Sequence, residues 1–420
     1  MKKLLYLLIL SSIATVNAYT PTNFDQPYDA TFSEQSWRYG TGLMHVGVRG
    51  EFLTEVRAFD PDEHKVSAPN MWGQKQSALA MLEGHAAGTS LHALSNRLRG
   101  GQDGTRGTFT VDGSFDKRQA IVDFCMPLSM IKLPGLFTLG VHVPLIEASF
   151  SKITWKSKTK QQTLHDDVVI ASLASDQDSL ASFVKTHGDL DIGDQSRRGV
   201  GDMAVMLNWQ GHFSQHQRRL QDVRVRARVG LSLPTGHEPD KNKAFDIDFG
   251  HDGTLGVPVG AGLRLDLGGG FRVGIDVGGM ILMRRTKEWR LKKSWEQTQH
   301  LLLSTGKATR EYGPEWKFML YSQLYHNVSG VTLTGGYQFL KHTDSTLFSQ
   351  SDVFSSSLIN LAEDVEASES HNLVGNFTYS PAMLRGWRVR PELMLTVKWP
   401  FLGRRVASGT TVGGGFSVRF

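Results

Sequence analysis

The sequence predicts an all-β protein, a transmembrane antiparallel up-and-down β-barrel of about twelve strands. Three observations carry that expectation. Apolar and polar residues alternate, over segments of about ten residues, along most of the chain, and about ten is the span of a tilted transmembrane strand. The connections between these segments are alternately long and short, as outer loops and periplasmic turns are in such barrels. After the N-terminus, no stretch approaches the roughly 18 apolar residues that a spanning helix needs.

The compartment is read from the first residues. Lys2 and Lys3 precede the apolar run Leu4 to Ile13, and Val16-Asn17-Ala18 supplies small residues before Tyr19, which is the pattern of a cleaved signal peptide over residues 1–18. Residues 19–420 then form one barrel domain. Without Lys2 and Lys3, 44 basic residues face 41 acidic ones, a net charge of +3, so nothing in the balance calls for nucleic acid. Mean hydropathy is only slightly negative, as expected where half of each strand meets lipid and half does not. Cys125 is the single cysteine, so no internal disulfide forms and the sheet must hold the fold.

Taken in order, 19–37 shows no strand and reads as a periplasmic lead-in. Strand one, Leu43 to Arg57, sets Met44, Val46, Val48, Phe52 and Val56 against His45, Arg49, Glu51, Glu55 and Arg57. The connection 58–105 is partly helical, with Leu91, Leu94 and Leu98 at helical spacing, and either caps the barrel or plugs it. Strand two lies within 106–128. Phe109, Val111 and Phe115 share one parity and Val122, Phe124 and Met126 the other, which predicts a bulge near Lys117–Gln119.

Strand three, Phe137 to Leu145, is followed by a polar loop at 151–197 and by strand four, Gly199 to Phe213. Strand five, Val223 to Leu233, interleaves Arg224, Arg226 and Arg228 with apolar residues, and on the lipid face each arginine would cost roughly 2–4 kcal/mol. Strands six (Leu255–Leu267), seven (Phe271–Met283), eight (Pro314–His326) and nine (Val331–Lys341) alternate in the same way, as do ten (Leu373–Ser380), eleven (Trp387–Pro400) and twelve (Thr410–Phe420). Trp209, Trp316, Tyr337, Phe339, Trp387, Trp399 and Phe420 fall near strand ends, where aromatic girdles belong.

Two resemblances refine this picture. The terminal strand, with Gly415, Val418 and a final Phe420, resembles the signal read by the barrel-assembly machinery of Gram-negative outer membranes. Gly199-Val200-Gly201-Asp202 running into Met203–Trp209, and Leu231-Ser232-Leu233-Pro234-Thr235-Gly236, look like the best-marked hairpin of the MetA-pathway phenol-degradation transporter family. That resemblance covers 199–270 and the last strand. It implies an outer-membrane channel for small organic molecules, with outer-membrane lipid around it.

Read from the residues, the expected lumen carries Arg49, Glu51, Arg224, Arg226, Arg228, Arg264, Asp266, Arg272, Asp276, Arg388, Arg390 and Glu392. If the arginines are unpaired, they form a basic constriction that favours anionic solutes during passive uptake. If Asp266, Asp276, Glu392 and Glu51 neutralise them, they are charge ladders filling the interior. A structural or surface-interaction barrel with a plugged lumen is the alternative function. A lipid hydrolase is the third reading, but His251-Asp252-Gly253-Thr254 lacks the residues that should follow the histidine in such an enzyme. No cofactor, metal or catalytic residue is expected. His165-Asp166-Asp167 reads as a solvated loop.

Overall fold

The computed structural model describes Gln26, Tyr28 and residues 44–98, 107–128, 134–159, 173, 176–215, 217–326, 328–381 and 389–420. The signal peptide, Arg388 and His165-Asp166-Asp167 lie outside the described residues. The strands of the barrel are β1 (His45–Phe59), β2 (Thr108–Pro127), β3 (Leu136–Ser157), β4 (Met203–Ser214), β5 (Asp222–Leu233) and β6 (Gly256–Asp266). They continue as β7 (Phe271–Leu282), β8 (Glu315–His326), β9 (Val331–His342), β10 (Ser368–Tyr379), β11 (Arg390–Arg404) and β12 (Thr411–Arg419). Each pairs antiparallel with its sequence neighbour. His45 of β1 sits opposite both Cys125 of β2 and Arg419 of β12, so the sheet closes on itself with twelve strands. Phe420 and Met44 exchange backbone hydrogen bonds of 3.1 and 3.0 Å at the seam.

The expected bulge near Lys117–Gln119 is absent. Lys117, Gln119 and Ile121 are buried in phase with Phe109, Val111 and Phe115, so β2 keeps one inward face from end to end. What changes is the surrounding medium. At 20 and 22 residues, β2 and β3 are about twice the length needed to cross a bilayer and stand well above it. In the membrane the outward face is apolar: Val122 is 39% and Leu145 47% exposed. Above it the inward face is apolar, because Phe109, Phe115, Ile146, Phe150 and Trp155 bury a core there. Arg118 of β2 and Glu147 of β3 point outward 4.0 Å apart and mark the crossing.

The true irregularities lie in the neighbours of β2. The β1–β2 register shifts between Leu53 and Val56, which buries Val56 and exposes Arg57, the reverse of the faces expected for them. The β2–β3 register shifts between Asp112 and Ser114, near Lys152 with its φ of 58°.

The connection after β1 is a cap. It holds a 3-10 turn at Ala68–Trp72, another at Ala80–Leu82, and helix α1 (Ser90–Leu98). Met81 and Leu82 are fully buried, and Leu91 and Leu94 pack against the same core as Phe115 and Phe150, whose rings are 4.8 Å apart. Burying one such side chain contributes about 1.5–3 kcal/mol. Helix α2 (Gln177–Gly188), from the loop after β3, adds Leu180 and Val184 to that core. A second, smaller core lies beside it. There the strands Arg285–Arg290, Thr305–Glu311 and Thr346–Ser349 form a sheet against α3 (Ser356–Ile359).

Candidate ligand vestibule and the lumen beneath it

The two stretches behind the family resemblance meet in space. The segment Gln195–Val200 and β4 both pair with β3, and Gly201-Asp202 interrupts them. Thr235, at the end of β5, fills that interruption: its hydroxyl donates to the Gly201 carbonyl (2.9 Å) and accepts from the Met203 N–H (2.9 Å). Asp202 turns inward and accepts from the N–H groups of Gly236 and His251, each at 2.8 Å. The motifs are therefore halves of one clasp around a buried carboxylate.

His251 continues the clasp across the mouth of the barrel. Its Nδ1 lies 3.1 Å from Asp202 Oδ2 and its Nε2 3.7 Å from Glu315 Oε1. Glu315 also faces His342 Nδ1 at 3.3 Å and accepts from Gln26 Nε2 at 3.2 Å. Burial pulls His251 down, but the Asp202 hydrogen bond and the charges of Glu315, Asp202 and Asp248 outweigh it and hold the imidazole up at about 9. His251 is 4% exposed and enclosed among Asp202, Asp248 and Glu315, whereas a lipid hydrolase would need it on the outer wall.

Tyr28 packs against the buried cluster formed by Tyr312 with Met280 and Leu282, inward residues of β7, and lies under the Arg228 guanidinium. The expected periplasmic lead-in thus contributes two residues to the interior of the barrel. Nothing in its composition signalled this, because neither Gln26 nor Tyr28 belongs to a periodic run.

Arg388 aside, the expected lumen residues lie on the inward strand faces, mostly beside carboxylates. Arg226 Nε is 2.8 Å from Asp276 Oδ2, and Arg228 reaches the other oxygen at 3.2 Å. Arg272 pairs with Asp266 at 3.0 Å, Arg224 with Asp222 at 2.8 Å, and Arg49 with Asp123 at 3.5 Å. Glu392 faces Arg419 at 3.4 Å and Glu51 faces Lys398 at 4.0 Å. Arg264 is buried opposite Arg224, and Arg390 sits opposite Arg419. Asp123, Asp222 and Lys398 were missed as partners. Lys398 shares the parity of Glu392 and was readable on that ground. Gly415, Val418 and the exposed Phe420 lie on β12 and at its end.

Above this layer, a cavity of about 180 Å³ opens where the outer loops meet. Trp72 of the first connection, Lys243 and Asp248 of the loop after β5, Lys287 and Trp289 of the small sheet, and Gln299 are among its lining residues. Its floor includes Asp252, which contacts Lys287 and accepts from the Tyr312 hydroxyl at 2.8 Å. Burial, then the nearby carboxylate of Asp252, push Asp248 up to about 7, against backbone N–H bonds from Gly250 and Asp252. Burial raises Asp252 as well, although Lys287 and Arg310 oppose it. Asp60, Asp62 and His64 cluster elsewhere, on the turn after β1, within 4.8 Å of one another.

Among solved structures, the fold is similar to that of the COG4313 outer membrane channel from Pseudomonas putida F1, with a TM-score of 0.50 and 12% identity over 90% of this chain and 96% of that one. The β domain of the Bordetella autotransporter BrkA scores 0.32 at 8% identity, over 90% of this chain and 99% of that one. A Pseudomonas aeruginosa FadL homologue scores 0.28 at 9%, over 90% and 89%. These two are too distant in shape to carry an argument. No protein-family model and no curated protein matches the sequence. The chain is a closed twelve-stranded barrel of the outer-membrane type, and the expected resemblance is borne out at the level of architecture.

Proposed function

We propose that the protein is an outer-membrane channel for small solutes, entered through the extracellular cavity and narrowed below it by Tyr28. One observation carries this reading. Tyr312 links the cavity to the barrel interior, its hydroxyl on Asp252 of the cavity lining and its side chain in the buried cluster with Met280 and Leu282 against which Tyr28 packs. In this reading the chain is exported by its signal peptide, and Gly415, Val418 and Phe420 address it to the barrel-assembly machinery. It needs neither cofactor nor catalytic group.

The paired arginines temper the expected anion preference, since each guanidinium beside a carboxylate adds little net field to the pore. A plugged barrel with a surface role is the second reading, favoured by the burial of Arg264, Lys398, Asn372 and Gln338 inside the lumen. Single-channel recording of the refolded protein under a salt gradient separates the two. The channel reading expects small or intermittent openings with weak ion preference, and larger, steadier ones in Tyr28→Ala. No current from either protein, with both folded and heat-modifiable, sinks it in favour of the surface barrel.

A further inference from the structure

The cavity wall is charged, yet most of its charges are already spent on one another. Lys241 contacts Glu288, Lys287 contacts Asp252, and Arg310 lies 3.5 Å from Asp364. Arg290 donates to the carbonyls of Lys241, Leu302 and Gly188. A simple ion entering here would give up its hydration without meeting a concentrated opposite charge, which is a poor exchange. A hydroxyl group meets a better match, because it donates and accepts at once.

The groups left over fit that demand. Among the described residues, Gln299 Oε1 is buried without a hydrogen-bond partner, and neither the Trp72 indole N–H nor the Lys243 ammonium has one. All three residues line the same space, as does Asp248, whose carboxylate oxygens each accept one backbone N–H, from Gly250 and Asp252, and keep further lone pairs. Trp72 adds an apolar ring surface, against which the C–H face of a saturated ring packs. The Trp289 ring is already covered, with Lys287 at 4.3 Å and Arg310 at 4.9 Å from its centroid. At about 180 Å³ the space lies below the roughly 300–1,000 Å³ of sites for drug-sized ligands, so its occupant has a single ring.

We propose that the cavity is a binding site for a neutral, hydroxyl-rich solute of one-ring size, a monosaccharide or cyclic polyol, held by Gln299, Lys243 and Asp248 and stacked on Trp72. The substrate class rests on the channel reading; the binding site does not. Tryptophan fluorescence of the full refolded chain, in a detergent without a sugar headgroup, tests it with glucose, myo-inositol, benzoate and glycine as probes. The expected result is saturable quenching by glucose or inositol, with a dissociation constant on the order of 1 mM, and none by benzoate or glycine at equal concentration. Gln299→Leu, which retains both tryptophans, should weaken binding at least tenfold, and Trp72→Phe should remove most of the signal change. Saturation by benzoate with no response to either polyol overturns the proposal, as does polyol binding unaffected by Gln299→Leu.

Liposome swelling with the same polyols separates the two readings. Binding without permeation leaves the site standing and removes the channel. Permeation without saturable binding does the reverse.

Discussion

Asp202 and His251 meet at 3.1 Å from positions 49 residues apart, and through them the break before β4, the end of β5 and the loop above β6 become one unit. Removing the carboxylate strips acceptors from the N–H groups of Gly236 and His251 and leaves a charged imidazole buried. Breaking one side of such a pair costs about 3–5 kcal/mol. Asp202→Ala should therefore lose that much in unfolding experiments in detergent. Asp202→Asn keeps an oxygen acceptor and should lose less. Equal, small losses from both would mean that the clasp contributes little to stability.

Gly250 is part of the same clasp for a steric reason. A Cβ there would stand 2.2 Å from Asp202 Cγ, with the other carboxylate atoms as close. Gly335, on the lipid side of β9, has nothing within 4 Å. Gly250→Ala should cost about 1–3 kcal/mol as overpacking, while Gly335→Ala should be close to neutral. Parallel melting curves, read by loss of the heat-modifiable band, check the contrast.

The folded state should weaken as pH rises, for two reasons of the same sign, both in the loop between β5 and β6. His251 is raised from 6.5 to about 9, so its contribution is complete below 6.5 and lost as pH passes 9. Asp248 is raised from 3.8 to about 7, so the folded state favours its protonated form, and stability falls between those values as the carboxylate ionises. Asp248→Asn should match the wild type at pH 4 and exceed it at pH 8. His251→Gln should flatten the fall between pH 7 and 9.5. Unfolding midpoints across that range decide both, and an Asp248→Asn protein weaker at pH 8 than the wild type would refute the first.

Much of the barrel was legible because lipid on one side and a polar interior on the other write a period of two into every strand. Arg224, Arg226 and Arg228 announce their face at once, since no alternative burial is tolerable. The partners of the inward arginines were half legible: Asp266 beside Arg272 and Asp276 beside Arg226 and Arg228 follow from parity, whereas Asp123 beside Arg49 needs the register between β1 and β2. The clasp was visible only as motif residues, because Thr235 and Asp202 act through loop geometry that periodicity does not encode. The cavity was invisible, since Trp72, Lys243 and the pair Lys287 and Gln299 lie on three separate connections that only the fold brings together.

The parity change along β2 misled because it imitates a bulge. A bulge would turn Phe115 and Val122 to the same side of the sheet, whereas here Phe115 points into the cap core and Val122 toward lipid on an unbroken strand. The two arrangements predict different mutant behaviour. Phe115→Ala opens a hole among Phe150, Leu53 and Val56 and should cost about 3–5 kcal/mol in detergent and membrane alike. Phe124→Ala, lower on the outward face, should cost far less, since no packed protein core is left unfilled. Val122→Arg should be mild in detergent but cost about 2–4 kcal/mol in a bilayer. Unfolding of all three in micelles and in liposomes gives the answer, and a Phe115→Ala protein as stable as Phe124→Ala would mean that the upper half of β2 does not face a core.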